Sequence, residues 1–453
     1  MTQVLATDQD IDTSKVPFAI TDRAFIPRER YYDKAFFDLE NEKLWPHAWQ
    51  MACRLEEIPG VGDYAEYSVG PYSVVVVRTS PTEIKAYQNA CRHRATQLAV
   101  GCGSFRGGQI VCPFHGWRWN LDGTPSLPLY GRQGFEERVL DPDDLALIEC
   151  QADTWGGCVW INMDRNAPPL LEALDPMPSL LDPLGVADMR VHWWKAVRLN
   201  ANWKMAQEAF LEAWHVMRTH PQLTLGANDG YSSDKVAYYS HPNGHMHLQG
   251  RSGGSDVAAQ GGISTGLGER EAVIESLRLL CEGLNAMCLD KDMHVLESLR
   301  TIDYEPGQFS IKMIEALYKW NVAAGTPFPP PSEAWTRWGG VHFMFPNYFM
   351  LPQFGNALVY RSRPDSTDPE HCFFELFSVT GYPKGEEPGK PTFGGVHAAD
   401  SEAWPLIPRQ DFSNIERQQR GLRTPGFNAL RLASEYEDGI ANMHAHLDTH
   451  LAR

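Results

Sequence analysis

Two short Cys/His pairs constrain this chain more than anything else in it. Cys91-Arg-His93 is followed, after eighteen intervening residues, by Cys112-Pro-Phe-His115. Each pair can come from one tight loop, and two such loops can clamp a metal group between them. Four protein ligands of this kind suit a two-iron, two-sulfur cluster, with the thiolates on one iron and the imidazoles on the other. They also suit a structural zinc site with two Cys and two His. The order Cys-His then Cys-His departs from the Cys-Cys then His-His order of a zinc finger, which favours the cluster. Cys102 lies between the pairs, has no His partner at either spacing, and reads as a plain loop thiol.

A second constellation lies about a hundred residues on. The segment Asn202 to His220 holds His215 and His220, five residues apart. Five residues span about 500° of an α-helix, so the two rings sit roughly 140° apart on a regular one and cannot face the same metal. The apolar spacing predicts a helix over 203–219, started by Asn200 or Asn202. Pro221 pushes His220 out of the α region, so His220 should sit where the helix ends and swing back toward His215. Two imidazoles plus one carboxylate on one face of Fe(II) leave positions open for O2. The bland alternative is a pair of helix-end histidines favoured by the helix dipole. The third ligand should be a distant carboxylate. Asp411, in Gln410-Asp-Phe-Ser-Asn-Ile-Glu416, follows Pro408 and is expected to open a helix. An ordinary capping Asp is the competing reading, and Asp400 and Glu402 are rivals. Glu212 stands at i−3 from His215, a neighbouring position on a helix, where a carboxylate can accept the imidazole N–H and fix its tautomer. Glu208 offers a further carboxylate nearby, or a solvated or capping side chain.

Composition excludes several classes. The net charge of −17 speaks against nucleic acid and against an anionic membrane surface. Met1 to Asp12 shows no signal-peptide pattern, and runs such as Val74 to Val77 are too short to span a bilayer. The expectation is a cytoplasmic protein. Nine cysteines scattered through 453 residues do not suggest a disulfide framework. Gly266-Leu-Gly268 lacks a third glycine and a βαβ context, so no nicotinamide or flavin site is expected. A helix is expected over 32–44, β texture over 45–162, a Pro- and Leu-rich linker over 167–185, and a Gly- and Ser-rich loop over 249–268 that could serve as a lid or be a plain surface loop. Further helices are expected over 269–287, 413–423 and 435–451, and strands over 341–359. This organisation gives an N-terminal helical segment 1–44, a cluster domain 45–165, a linker 166–190 and a catalytic domain 191–453.

The stretches Cys91-Arg-His-Arg94 and His115-Gly-Trp-Arg-Trp-Asn-Leu-Asp-Gly123 resemble the surroundings of the two ligand pairs in Rieske domains. With the His215/His220 segment, the chain resembles the large (α) subunits of Rieske non-haem iron, or aromatic-ring-hydroxylating, oxygenases. The resemblance is strong over residues 45–165 and 200–221 and looser in the C-terminal half. It implies an α+β fold: an N-terminal all-β Rieske 2Fe-2S domain, then a START-like helix-grip catalytic domain with an antiparallel sheet and helices. It implies Cys91, His93, Cys112 and His115 as cluster ligands. It implies His215, His220 and Asp411 as ligands of one mononuclear Fe(II), Asp411 matching a late Asp followed five residues on by Glu. O2 would be co-substrate, with electrons from NAD(P)H through a separate reductase, with or without a ferredoxin. The assembly would be a three-fold ring, alone or with small β subunits, in which the electron crosses to the iron of the neighbouring subunit. The family commonly has Asp three residues before the first iron-binding His. Here that residue is Glu212, as in members that oxidise quaternary-ammonium compounds such as carnitine. An aromatic or other hydrophobic ring substrate is expected, with dihydroxylation, monohydroxylation and O- or N-demethylation all open. Phe343, Phe345, Tyr348, Phe349 and Phe354 fall where the family lines its pocket, although a packed sheet shows the same alternation. Two rivals stand beside this reading. One is a pure electron carrier, disfavoured by the roughly 290 residues after the cluster half. The other is a START-like ligand-binding protein with a structural zinc module, in which His215 and His220 would be dispensable.

Overall fold

The strands form where β-branched and aromatic residues run between Gly, Pro and Asp turns. Tyr72–Ser80 is an example: its four consecutive valines, Val74 to Val77, are completely buried, as expected for a strand covered on both faces. The computed structural model describes residues 11–224, 236–250, 267–332 and 340–453. The chain divides into two units. The smaller comprises residues 41–173 and 389–391; the larger comprises the residues through Glu40, 174–388 and 392–453.

In the smaller unit, seven strands form an antiparallel sheet in the order Gln50–Arg54, Cys158–Asn162, Glu149–Trp155, Glu83–Gln88, Tyr72–Ser80, Asp63–Val69, Cys102–Ser104. A separate two-stranded ribbon pairs Gln109–Val111 with Arg118–Asn120. Val75, Val77, Tyr87, Ile110, Trp117 and Trp119 form the core between them, and Cys91 and Cys112 belong to it. Gly123, at the end of the Trp-rich stretch, has φ +84°, and an added Cβ would meet the Tyr87 ring at 2.6 Å. Only glycine fits there, because Tyr87 lies across the turn and donates its hydroxyl to the Leu121 carbonyl at 2.8 Å.

In the larger unit, eight strands run in the order Val236–Ser240, Met246–Gly250, His342–Met344, Tyr348–Gln353, Asn356–Pro364, Cys372–Thr380, Arg190–Leu199, Phe393–His397. All neighbours are antiparallel except the last pair, which is parallel. The expected antiparallel sheet is therefore mixed at one edge. The helices Glu269–Leu284, Leu406–Gly421 and Asp438–Leu451 belong to the same unit. Leu406–Gly421 starts seven residues before the expected 413 because Pro408 falls inside its first turn, where a missing N–H costs nothing. The stretch expected as a linker contains regular structure. It holds the short helices Leu170–Ala173 and Met177–Leu181, and Leu170, Leu174, Met177 and Leu181 are buried. Of the Gly- and Ser-rich stretch, residues 251–266 lie outside the described residues. No helix among the described residues is long and apolar enough to cross a membrane.

The central strands carry a buried ion cluster. Glu375 stands opposite Arg361 in the register of two adjacent strands. It accepts from Arg361 Nε and Nη2 at 2.8 and 2.9 Å and from Arg363 Nε at 2.9 Å. Burial alone would raise the Glu375 carboxyl; the two guanidiniums outweigh it and hold the group at about 2. An unfolded Glu titrates near ~4.3. The stabilisation is therefore complete above that pH and disappears as the pH falls toward about 2. Glu375→Ala leaves Arg361 buried without its carboxylate and should cost roughly 3–5 kcal/mol. Urea unfolding checks this, and a variant as stable as the wild type would show that the pair does not support the sheet.

Candidate metal centres

Each Cys/His pair sits on a chain reversal. The amide of Ala95 donates to the Cys91 carbonyl and that of Gly116 to the Cys112 carbonyl, at 2.9 and 3.1 Å. Ala95 and Gly116 both have positive φ, 59° and 73°, which turns each loop back on itself. Both thiols are buried. The His93 ring stacks on Trp117 with centroids 4.8 Å apart and meets His115 edge-on at 4.7 Å. His93 Nδ1 is buried and has no hydrogen-bond partner. A buried imidazole nitrogen left unpaired is costly, and beside two buried thiols it fits a ligand position. Cys102 lies exposed on the sheet edge, apart from this pair.

The second site depends on a helix that breaks. The expected helix 203–219 forms only as Trp203–Glu208 and Val216–Thr219. Asn202 starts it, its side chain accepting from the Lys204 amide at 3.0 Å. After Glu208 the amides of Phe210 and Leu211 bond back three residues instead of four. The Glu212 carboxylate then takes the amides of Trp214 and His215, which compete with the helical ladder. Its Oε1 stands 2.6 Å from His215 Nδ1. Glu212 thus reaches His215 from the turn that precedes the second helix, not by the i,i+3 geometry of a continuous helix. His220 ends that turn at φ −121°, ψ 60°, before Pro221, as the Pro rule expects.

The break brings three side chains together. One ligand atom each from His215, His220 and Asp411 lies within 4.8 Å of the other two. Asp411 Oδ1 is 2.9 Å from His220 Nε2 and 3.8 Å from His215 Nε2. Asp411 does not open its helix; it sits in the second turn and is buried. His220 Nδ1 donates to the Gln410 amide oxygen at 2.9 Å, and Gln222 donates to the same oxygen at 2.8 Å. With both Nδ1 atoms occupied by oxygen acceptors, the two Nε2 atoms are left for a metal, and the donor set fits one divalent cation. Burial works against protonation of His215, but Glu212 and then Asp411 outweigh it and hold the ring above its usual range. Glu416 lies apart and accepts from the Asn200 amide at 3.1 Å. Asp400 and Glu402 are exposed. The sequence reading missed Gln410 and Gln222, since a glutamine beside a ligand carries no signal until the fold aims it.

The three side chains open on a cavity of about 220 Å³. Its walls are mainly Leu, Val, Ile and Met, with Phe210 and Tyr360 the only aromatic residues among the described lining. Phe210 stacks on Tyr360 at 4.4 Å and on Phe374 at 5.4 Å. None of Phe343, Phe345, Tyr348, Phe349 and Phe354 lines it; all five are buried in packing, Phe343 against Phe349 at 4.8 Å. The aromatic alternation was core.

Comparison with known proteins now decides the family. Residues 186–275 and 305–453, more than half of the chain, match the ring hydroxylating alpha subunit (catalytic domain), and residues 48–128 match the Rieske [2Fe-2S] domain. The chain belongs to the Rieske ring-hydroxylating alpha-subunit family. That membership implies a Rieske 2Fe-2S cluster, a mononuclear iron and O2 as co-substrate. Among relatives, the chain is 29% identical over 200 residues to the glycine betaine monooxygenase oxygenase subunit of Pseudomonas aeruginosa, covering 44% of this chain and 45% of that one. It is 30% identical over 223 residues to the carnitine monooxygenase oxygenase subunit of Escherichia coli, covering 48% and 57%. The matches thus span about half the length of these curated relatives. A solved naphthalene 1,2-dioxygenase shares the fold, with TM-score 0.66, 17% identity, and 96% and 94% of the two chains covered.

In this α subunit Glu208 is not among the residues lining the cavity. Its carboxylate accepts from the Tyr31 hydroxyl at 2.9 Å and meets His444 Nε2 at 2.8 Å. Arg30 Nε donates to His444 Nδ1 at 3.0 Å, so the imidazole proton sits on Nε2 and points at Glu208. Burial raises Glu208 to about 7, and the Tyr31 hydrogen bond only partly offsets it. Burial, then the Arg30 charge, holds His444 well below its usual range. The two act oppositely on stability. Glu208 contributes most below the ~4.3 of an unfolded Glu and loses that contribution as pH rises through about 7. His444 contributes above the ~6.5 of an unfolded His and loses that as pH falls. Glu208→Gln removes the first effect alone. Its stability should rise with pH between roughly 4.5 and 6.5 more steeply than that of the wild type, by up to about 1.4 kcal/mol per pH unit. Parallel stability curves would contradict the raised Glu208.

Proposed function

We propose that this chain is the terminal oxygenase of a multicomponent system, taking electrons from NAD(P)H through a separate reductase, with or without a ferredoxin, and using O2 to hydroxylate an aromatic or other hydrophobic ring substrate. The observation that carries the reading is the meeting of His215, His220 and Asp411 at the wall of an aliphatic cavity, in a chain with a Rieske domain. We assign Cys91, His93, Cys112 and His115 to the cluster and His215, His220 and Asp411 to the mononuclear iron, within domains spanning about 45–165 and 191–453. Bound there, the cluster supplies single electrons and the iron binds and activates O2. The chain's own residues do the rest. Glu212 and Gln410 hold the Nδ1 protons, so both rings present Nε2 in fixed orientation. Asp411 supplies the anionic donor. Phe210 and Tyr360, stacked on each other, wall the cavity beside it. In a three-fold ring of this chain, alone or with small β subunits, Glu212 is the carboxylate that links His215 to the neighbouring subunit's cluster. Glu208 holds the helix that leads into Glu212. We place the assembly in the cytoplasm. A second reading, oxidation of a quaternary-ammonium compound, is favoured by Glu212 and by the names of the relatives above.

Protein purified without air should contain about three irons and two acid-labile sulfides per chain and give a rhombic signal of low average g on reduction. A colourless zinc protein that cannot be reconstituted would sink the reading. Gln410→Leu should keep the cluster and lower Fe(II) affinity about 10–100-fold; titration of iron-free protein measures it, and unchanged affinity would remove Gln410 from the site. Glu212→Gln should keep cluster and iron and slow electron transfer between them. Wild-type transfer rates would leave the carboxylate without that role.

A further inference from the structure

Two buried thiols meet where the helix Glu269–Leu284 ends. Cys281 lies in the last turn of that helix, and Cys288 stands two residues before the helix Asp290–Ser298. Asn285 ends the first helix in a left-handed turn, φ 53°, with its amide on the Cys281 carbonyl at 2.8 Å. The chain then doubles back, and the Cys288 thiol donates to the Cys281 sulfur across the six residues between them. Cys281 in turn is placed to donate to Asp290 Oδ1 at 3.8 Å. Neither cysteine belongs to the candidate metal centres. What the thiols enclose gives the contact its interest. Leu284 and Met287, between them, line the cavity, as does Leu280 just before Cys281. Gly283, also between them, packs so closely that an added Cβ would stand 3.0 Å from Ile407 Cδ1. Ile407 lines the same cavity and belongs to the helix that carries Asp411.

The pair is unsymmetrical. The bond from Cys288 outweighs burial and the charges of Asp290 and Asp292, and holds the Cys281 thiol below its usual range. The same bond, with burial, pushes Cys288 up. A thiolate is the species that attacks peroxide, so Cys281 is suited to attack and Cys288 to resolve. We propose that Cys281 and Cys288 are a redox modification site, which hydrogen peroxide closes into a disulfide that ties the cavity wall between them. The Cys281 thiolate attacks one peroxide oxygen, the O–O bond breaks, and hydroxide leaves with the proton that Cys281 gave up, as water. This yields a sulfenic acid. The Cys288 sulfur then attacks the Cys281 sulfur; the S–S bond forms, the S–O bond breaks, and the second hydroxide leaves with the Cys288 proton. Two thiols lose two electrons and one peroxide becomes two waters. The site goes beyond the oxygenase reading, since the thiols meet whatever the cavity binds.

Trypsin leaves both cysteines on one peptide, residues 279–291, so the disulfide appears in mass spectrometry as a loss of two hydrogen atoms with no site left to alkylate. Holoenzyme given stoichiometric hydrogen peroxide should show this loss about tenfold faster than oxidation of Cys150, a buried thiol that burial and Glu149 push up to about 12. Dithiothreitol should restore the peptide. Cys288→Ser should stop at a sulfenic acid on Cys281, captured by dimedone, and Cys281→Ala should leave Cys288 reduced. Amides of residues 283–288 should exchange with deuterium about tenfold more slowly in the oxidised than in the reduced protein. A peptide that keeps two free thiols, oxidation of Cys150 at the same rate, a Cys288→Ser variant without the dimedone adduct, or equal exchange in the two states overturns the proposal.

Discussion

The candidate metal site depends on where two protons sit. Each histidine must present Nε2 as a lone pair, and that requires its proton on Nδ1 with an acceptor to hold it. Glu212 provides the acceptor for His215 at 2.6 Å and Gln410 the acceptor for His220 at 2.9 Å. One is an anion and one is neutral. The difference matters because the carboxylate helps hold His215 above its usual range, while the amide orients His220 without adding charge. With Asp411, two carboxylates then stand beside the two rings, one at each side of His215. This arrangement exists only because the helix after Glu208 breaks. A continuous helix would leave Glu212 beside His215 but would send His220 to the far side.

The break has a firm anchor. Trp203–Glu208 is buried along its whole length, polar residues included. Lys204 reaches Glu40 at 2.5 Å, and the Trp203 indole donates to the same carboxylate at 3.1 Å. Glu208 meets Tyr31 and His444, and Arg30 joins His444 to Asp448, whose carboxylate it meets at 2.6 Å. Charges buried this deeply contribute little net stability, since desolvation consumes most of the attraction. They do fix position: a helix held by paired polar groups cannot slide by a residue without stranding one of them. The segment that must be irregular therefore starts from a point that cannot shift.

Much of this was legible in the chain, for unequal reasons. The Cys/His pairs announce themselves because ligand chemistry demands their spacing, and His220 at a helix end follows from Pro221 alone. Asp411 was the reasonable distant carboxylate, but its place inside a helix was not, because Pro408 within a first turn looks like Pro408 before one. The uninterrupted helix over 203–219 was the main error. Periodicity records which residues face the core, and it continues through Glu212 because the broken segment buries Phe210 and Leu211 as a helix would. What broke the helix was one carboxylate competing for two backbone amides, and such competition has no period. Gln410 was invisible for a related reason: its role is set by a residue 190 positions away.

The substrate wall was the least legible part, and the physics of sheets explains why. Phe343, Phe345, Tyr348 and Phe349 alternate as pocket residues would, yet all are packed core. The cavity is instead lined by leucines and valines from strands and helices far apart in sequence, with two glutamines among them. Ligand geometry for iron tolerates little change, whereas a leucine wall can exchange side chains at small cost. A site of this kind can therefore keep its donor set while its wall changes, and in this chain the described wall is mainly aliphatic, with Phe210 and Tyr360 stacked in it.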